Sequence, residues 1–202
     1  VLVTSDGRYI VTASSDQTLK IWDAKLFDKE GIEYDEINKN WGMSLSAMSL
    51  SGEKVAVAMP GSFFKKALVK IISRENKMIQ VLEDKNTEEY THIEFLDNDR
   101  FLLTISDRGR VTIWDISAGE VIKEFTDLQG TFNEVKLTKD GKYLVLLSSE
   151  DGDSIEAITV FDLEQGEVTT TISESLEKID AFDLLPNNQI MIYSSEDRTI
   201  KI

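Results

Sequence analysis

The sequence contains no cysteine, only two prolines and a single histidine, His92. Without cysteine the chain can form neither a disulfide nor a thiolate zinc site, and one histidine cannot build a histidine-rich metal centre. We therefore expect no metal and no cofactor. The scarcity of proline also leaves no proline-rich linker. Residues 1–202 are therefore expected to form one continuous architecture.

Positive charge is scarce as well, because 22 basic residues stand against 37 acidic ones and the formal net charge is −15. Nucleic acid and anionic membranes carry the same sign, so this charge disfavours nonspecific binding to either. No apolar run approaches the roughly 20 residues of a membrane span, and residues 1–9 lack the features of a signal peptide. We expect an intracellular, cytoplasmic protein with protein partners, for which a basic surface would be the natural complement.

An internal repeat organises the apolar residues, which make up 41% of the chain. Each unit reads as a turn, an apolar strand, a short turn and a second apolar strand. The five segments are 6–23, 51–73, 98–115, 140–162 and 187–202. In each segment, one residue marks the turn before the first apolar strand, and we call it the turn anchor: Gly7, Gly52, Asp99, Gly141 and Asn187. The spacing of about 45 residues is the length of one four-stranded blade.

Further strands between these segments complete the units. Innermost strands are predicted at 44–50, 92–96, 132–137 and 179–184, and outermost strands at 78–82, 121–125 and 168–172. The unit boundaries lie at about 1–38, 39–84, 85–126, 127–173 and 174–202. This interpretation predicts about 18 strands and no helix. It leaves the first unit without its innermost strand and the last without its outermost strand.

Two segments, Ile21-Trp22-Asp23 and Ile113-Trp114-Asp115, resemble the closing signature of the WD-repeat family, and Val160-Phe161-Asp162 is a softened copy. The family's turn aspartate is matched by Asp16, Asp107 and Asp197. The resemblance covers essentially the whole chain. It implies an all-β fold, a β-propeller of four-stranded antiparallel blades. Only four to five blades are present, so the segment would be a partial ring of a seven-bladed propeller within a longer chain.

The resemblance also implies a structural role for these residues. In the family, the turn aspartate joins a hydrogen-bonded network with a histidine, a Ser or Thr of the second strand, and the tryptophan. The candidate sets here are Asp16 with Ser14 or Thr12 and Trp22, and Asp107 with Ser106 or Thr104 and Trp114. The family's Gly-His element is absent from every unit, so the full network cannot form. A buried indole N–H still needs a partner.

The candidate partner-binding residues are Trp41, Phe63, Phe64, Lys65 and Lys66. They lie in the second unit, which lacks both the aspartate and the tryptophan of the family and has a longer turn. The resemblance implies that both loops open on the face that the family commonly uses for binding. Aromatic side chains beside lysines would form a local binding site there. The alternative is that the aromatics pack against neighbouring blades and the lysines are only solvated.

No catalytic site is expected. His92 lies on a predicted inner strand, where a lone histidine is more often a strand residue than a general base. The acidic run 150–153 lacks the later glutamate of a calcium loop. The resemblance implies a non-catalytic protein-interaction platform, a scaffold in a larger assembly or multidomain chain. The alternatives are a sensor propeller attached to an ATPase or signalling domain, and a structural component of a cytoskeletal or ciliary complex.

Overall fold

The structure is a computed structural model in which every regular element of the described residues is a β-strand. The chain divides into two compact units, residues 1–124 and 125–202. The described residues are 2–3, 7–13, 19–23, 32–33, 45–49, 51–61, 66–73, 77–84, 89–96, 99–126, 128, 131–149, 156–173, 179, 181–185, 187, 189–194 and 199–201.

The first unit holds three four-stranded antiparallel sheets, each ordered as in the sequence, which we number blades 1 to 3. Blade 1 comprises β1 (Leu2–Val3), β2 (Tyr9–Ala13), β3 (Leu19–Asp23) and β4 (Ile32–Glu33). Blade 2 comprises β5 (Leu45–Met48), β6 (Lys54–Met59), β7 (Leu68–Ser73) and β8 (Met78–Glu83). Blade 3 comprises β9 (Tyr90–Leu96), β10 (Phe101–Ser106), β11 (Val111–Asp115) and β12 (Glu120–Phe125), whose last residue already belongs to the second unit.

The second unit continues the same pattern in blades 4 and 5. Blade 4 comprises β13 (Thr131–Leu137), β14 (Tyr143–Ser149), β15 (Glu156–Asp162) and β16 (Glu167–Ser173). Blade 5 has three described strands, β17 (Ala181–Leu184), β18 (Ile190–Ser194) and β19 (Thr199–Lys201). The all-β prediction and the four-stranded antiparallel blades are therefore confirmed, and the inner and outer strands lie within about two residues of their predicted bounds.

One part of the strand prediction is wrong. The sequence predicts a first unit without its innermost strand, but Leu2 and Val3 pair with Val11 and Ile10 of β2. Two apolar residues are too short a pattern for periodicity to reveal, and their pairing depends on the neighbouring strand. The described strands therefore number nineteen, one more than the expected value of about 18.

In blades 1 to 4, the turn between the first and second strands contains a residue with a left-handed backbone, which explains four of the five repeated anchors. Gly7, Gly52 and Gly141 have φ values of 66°, 72° and 70°. Asp99 occupies the same place in blade 3 with φ 68°. Glycine adopts this region without the steric cost of a Cβ, and aspartate is among the side chains that tolerate it best. The anchors are therefore set by backbone sterics.

The cores form where neighbouring sheets cover one another. In the first unit, the second strand of blade 2 is fully buried from Val55 to Met59. Its cluster joins blades 2 and 3, with members such as Val69, Phe95 and Trp114. In the second unit, Phe182 and neighbouring apolar residues connect blades 4 and 5. Strands covered on both faces read as continuous apolar runs, as β6 and β14 do.

Candidate interaction surface

In blades 1 and 3, the same hydrogen bond joins the second strand to the third, which is the strand that ends in the Trp-Asp pair and is called the closing strand. The Trp114 indole donates its N–H to Thr104 Oγ1 at 3.0 Å, and Trp22 donates to Thr12 Oγ1 at 2.9 Å. In each blade the threonine and the tryptophan are diagonal neighbours across the second and third strands. Asp107 lies in the β10–β11 turn with its side chain exposed. Asp16 and Asp197 lie outside the described residues.

The aspartate that follows the closing aromatic residue caps the next turn. Asp115 Oδ1 accepts hydrogen bonds from the Ser117 amide at 2.9 Å, the Ser117 hydroxyl at 2.5 Å and the Ala118 amide at 3.2 Å. These bonds, first the Ser117 hydroxyl and then the Ala118 amide, hold the pKa of Asp115 below its ordinary value. Sequence reasoning missed this role.

The same cap recurs in blade 4, where Asp162 Oδ1 accepts from the Glu164 and Gln165 amides at 2.7 and 2.9 Å. In both blades a glycine four residues after the aspartate closes the turn: its amide donates to the aspartate carbonyl. The Asp-x-x-x-Gly spacing is the signal that could have revealed the caps. In blade 1, Asp23 ends β3 opposite Tyr9.

The loop edge of blade 3 carries a charged cluster that sequence reasoning also missed. Arg110 Nη1 lies 3.3 Å from Glu124 Oε1 and 4.0 Å from Asp84 Oδ1. Burial, as the main cause, and the nearby Asp84 carboxylate, as the second, raise the pKa of the Tyr90 hydroxyl above its ordinary value. Asp107 lies at the same edge, where its amide donates to the Glu89 carbonyl at 3.1 Å. The second-to-third-strand turn and the connection between blades therefore meet at this edge.

The predicted partner-binding residues belong to the corresponding region of blade 2. Lys66 is exposed, whereas the adjacent Ala67 is fully buried and begins the return into the sheet. Trp41, Phe63, Phe64 and Lys65 lie outside the described residues. Only Lys66 of the five can therefore be located, at the end of the turn between β6 and β7.

A lysine joins the two blades of the second unit. Lys136 Nζ donates to the Phe182 carbonyl at 2.9 Å and to Asp183 Oδ1 at 2.8 Å, and it lies 3.2 Å from Glu134 Oε1. The same ammonium lies 5.3 Å from the centre of the Phe182 ring. Burial disfavours the charged form, but the hydrogen bonds to Asp183 and Glu134 outweigh it and raise the pKa of Lys136.

We expect Lys136→Met to lower the free energy of unfolding by about 1 kcal/mol, the size of a partly exposed charged hydrogen bond. Because the folded pKa lies above the unfolded value near 10.5, this stabilisation is complete below pH 10.5 and is lost as pH rises above it. Urea titrations at pH 8 and at increasing alkaline pH should show wild type and Lys136→Met converging. A constant difference would contradict the assignment.

The described residues offer few features of other site classes. Within them, no group of three or more His, Asp or Glu side chains is arranged to hold a metal ion. His92 is half-buried, and its Nε2 lies 3.4 Å from Glu94 Oε2. In the same part of the chain, no helix has the length and apolar character to cross a membrane.

Comparison with known proteins shows which proteins this chain resembles. The family model of the WD domain, G-beta repeat, matches residues 1–23, which contain the first three strands of blade 1. Eukaryotic translation initiation factor 3 subunit I of Drosophila virilis is 24% identical over 188 residues, covering 86% of this chain and 57% of that protein. The Drosophila willistoni protein of the same name is 23% identical with the same coverage. The chain thus spans about 57% of the length of these relatives.

A solved structure has the same fold. The hydrazine synthase of Kuenenia stuttgartiensis aligns with 95% of this chain and 54% of its own at a TM-score of 0.75 and 14% identity. At this identity the likeness concerns the fold alone. Together, the blade register, the Trp-Asp closing strands and these likenesses make the chain similar to WD-repeat β-propeller proteins.

Proposed function

We propose that this chain is a non-catalytic protein-interaction platform, a scaffold that works as one subunit of a larger assembly. The observation that carries the proposal is its similarity, over 86% of its length, to proteins named as a subunit of a translation initiation factor. An assembly of that type is the first candidate. Because translation takes place in the cytoplasm, the proposal includes a cytoplasmic location.

The chemistry of the described residues supports a binding role. Several hydroxyls and carboxylates take part in contacts within the blades, such as the Thr104 hydroxyl of β10 with Trp114 and the Asp115 cap at the end of β11. The loop edge of blade 3 instead presents exposed charged groups, including Asp107 and Glu89. With a net charge of −15, the chain has an electrostatic preference for a partner with a basic surface.

We further propose that the partner contacts the loops around residues 41 and 63–66. Lys66 supports this placement because it is exposed immediately before the fully buried Ala67. Aromatic side chains such as Phe63 and Phe64 supply the apolar area that commonly dominates binding to a protein partner.

The test compares complexes isolated from cells that carry tagged full-length protein at its native level. We expect the triple variant Trp41→Ala, Phe63→Ala and Phe64→Ala to elute mainly at monomer size, whereas wild type elutes in a larger assembly identified by mass spectrometry. The control variant Val121→Ala with Ile122→Ala removes exposed apolar side chains from the outer strand β12. It should retain the assembly.

Two outcomes count against the proposal. Wild type that elutes only as a monomer would reject the scaffold role. A triple variant that stays folded by circular dichroism and remains in the assembly would reject the surface but leave the role intact.

A further inference from the structure

Among the described residues, the outermost strand of a four-stranded blade pairs with one neighbour only, so the backbone N–H and C=O groups on its other side have no strand partner there. In the order of the sheets, β4, β8, β12 and β16 occupy this position; β4 has only 2 residues, whereas the other three have 6 or 7 and are long enough to accept another strand. A free edge of this kind can accept an extended segment of another chain, and proteins usually protect it with lysine, proline or a competing side chain. The three edges differ in that protection.

Two of the edges are protected. In β8, the Gln80 side-chain carbonyl accepts a hydrogen bond from the Val81 amide at 3.1 Å, so this backbone group already has a partner. In β12, Lys123 lies at the centre of the strand, between Glu120 and Glu124. A strand added to β12 would have to approach these charged side chains.

The β16 edge has neither kind of protection among its described residues. Its centre, 168–172, reads Val-Thr-Thr-Thr-Ile, with no charged residue and no proline. The side chains from Glu167 to Thr171 are exposed, and Val168 retains 46% of its accessible surface. β-Branched residues are those that best fit a paired strand. Thr170 lies four residues after the turn glycine Gly166, whereas in β12 the residue four after Gly119 is Lys123.

We propose that the free edge of β16 binds an extended basic segment of a partner protein, which adds a fifth strand to blade 4. Backbone hydrogen bonds and β-branched side chains opposite 168–172 would provide the pairing. Lys or Arg at one end of the segment would lie near the exposed carboxylates of Glu164 and Glu167. A second copy of this chain is a poorer occupant because each copy carries a net charge of −15.

This surface goes beyond the loop surface proposed above, and its test does not depend on the cellular assembly. The probe is a fluorescein-labelled peptide, Lys-Lys-Thr-Val-Thr-Val-Thr, titrated with the full chain and followed by fluorescence anisotropy. We expect it to bind at least about tenfold more tightly than a peptide with two glutamates in place of the lysines. The same loss is expected when proline replaces the central threonine, because proline cannot donate to a ladder.

The decisive variant is Thr170→Lys, which gives β16 the central lysine that β12 already has. We expect it to weaken peptide binding about tenfold or more while circular dichroism stays unchanged. The matched control is Val121→Thr in β12, which should bind the peptide like wild type. Hydrogen exchange should show the peptide slowing amides in 167–173 and leaving those in 120–125 unaffected.

Three results would overturn the proposal. One is equal binding of the lysine and glutamate peptides, and another is equal binding by wild type and a folded Thr170→Lys protein. The third is a concentration-dependent dimer in sedimentation experiments that Thr170→Lys abolishes, because the occupant would then be a second copy of the chain.

Discussion

Replacing Gly166 by alanine is expected to lower the free energy of unfolding by about 2–5 kcal/mol, measured by urea titration. Two costs add at this position. Gly166 has φ 76°, where a residue with a Cβ is strained. The new Cβ would also lie 2.6 Å from Cε1 of Phe125. That ring packs edge-on against the fully buried Phe161 at a centroid distance of 5.3 Å, so moving it aside would disturb this aromatic contact.

Gly141 provides the matched control because its φ is 70° but no atom of the described residues lies within 4 Å of the position that a Cβ would take there. Gly141→Ala should therefore lose only the backbone contribution, about 1–2 kcal/mol. Adding Phe125→Leu to Gly166→Ala should recover part of the loss through a favourable coupling. Equal losses for the two alanine variants would show that the Phe125 contact has no energetic effect.

Thr104→Val is expected to cost about 1–3 kcal/mol of folding free energy although it nearly conserves side-chain volume. The hydroxyl of Thr104 accepts the indole N–H of Trp114, and both side chains are buried. Valine would leave that donor without a partner in the core. The measurement is the midpoint of urea unfolding, followed by the tryptophan fluorescence.

Blade 1 provides the comparison for this bond. Trp22 and Thr12 make the same contact at 2.9 Å, but both side chains are only half-buried. Water can reach the indole N–H there, so Thr12→Val should cost clearly less than Thr104→Val. If the two substitutions cost the same, burial does not determine the strength of this bond.

Much of the fold could be predicted because it depends on local chemistry. Four of the five turn anchors are places where the backbone has a positive φ, and glycine or aspartate at a regular spacing reveals them directly. The apolar run of β6 indicates a strand covered on both faces. In contrast, β1 has only two residues, and its pairing with Val11 and Ile10 depends on a neighbour rather than on a pattern.

The candidate sites were harder to predict because their contacts join residues that are far apart in the sequence. The Thr104–Trp114 bond is among the predicted alternatives, since both residues lie in one hairpin. The contact of Lys136 with the Phe182 carbonyl spans 46 residues, and no local motif indicates it. The loops around Trp41 and Phe63 remain a prediction.

The sequence by itself determined the repeat, the β-strand character of the blades and the turns that separate their strands. These features arise from side-chain alternation and backbone sterics within a few residues. Only the tertiary structure decided which polar groups meet and which edges stay open. Lys123 and Thr170 lie at the centres of β12 and β16, which are outermost strands in the described sheets. The difference between lysine and threonine matters there because a strand edge can bind another strand only where no neighbouring strand already pairs with it.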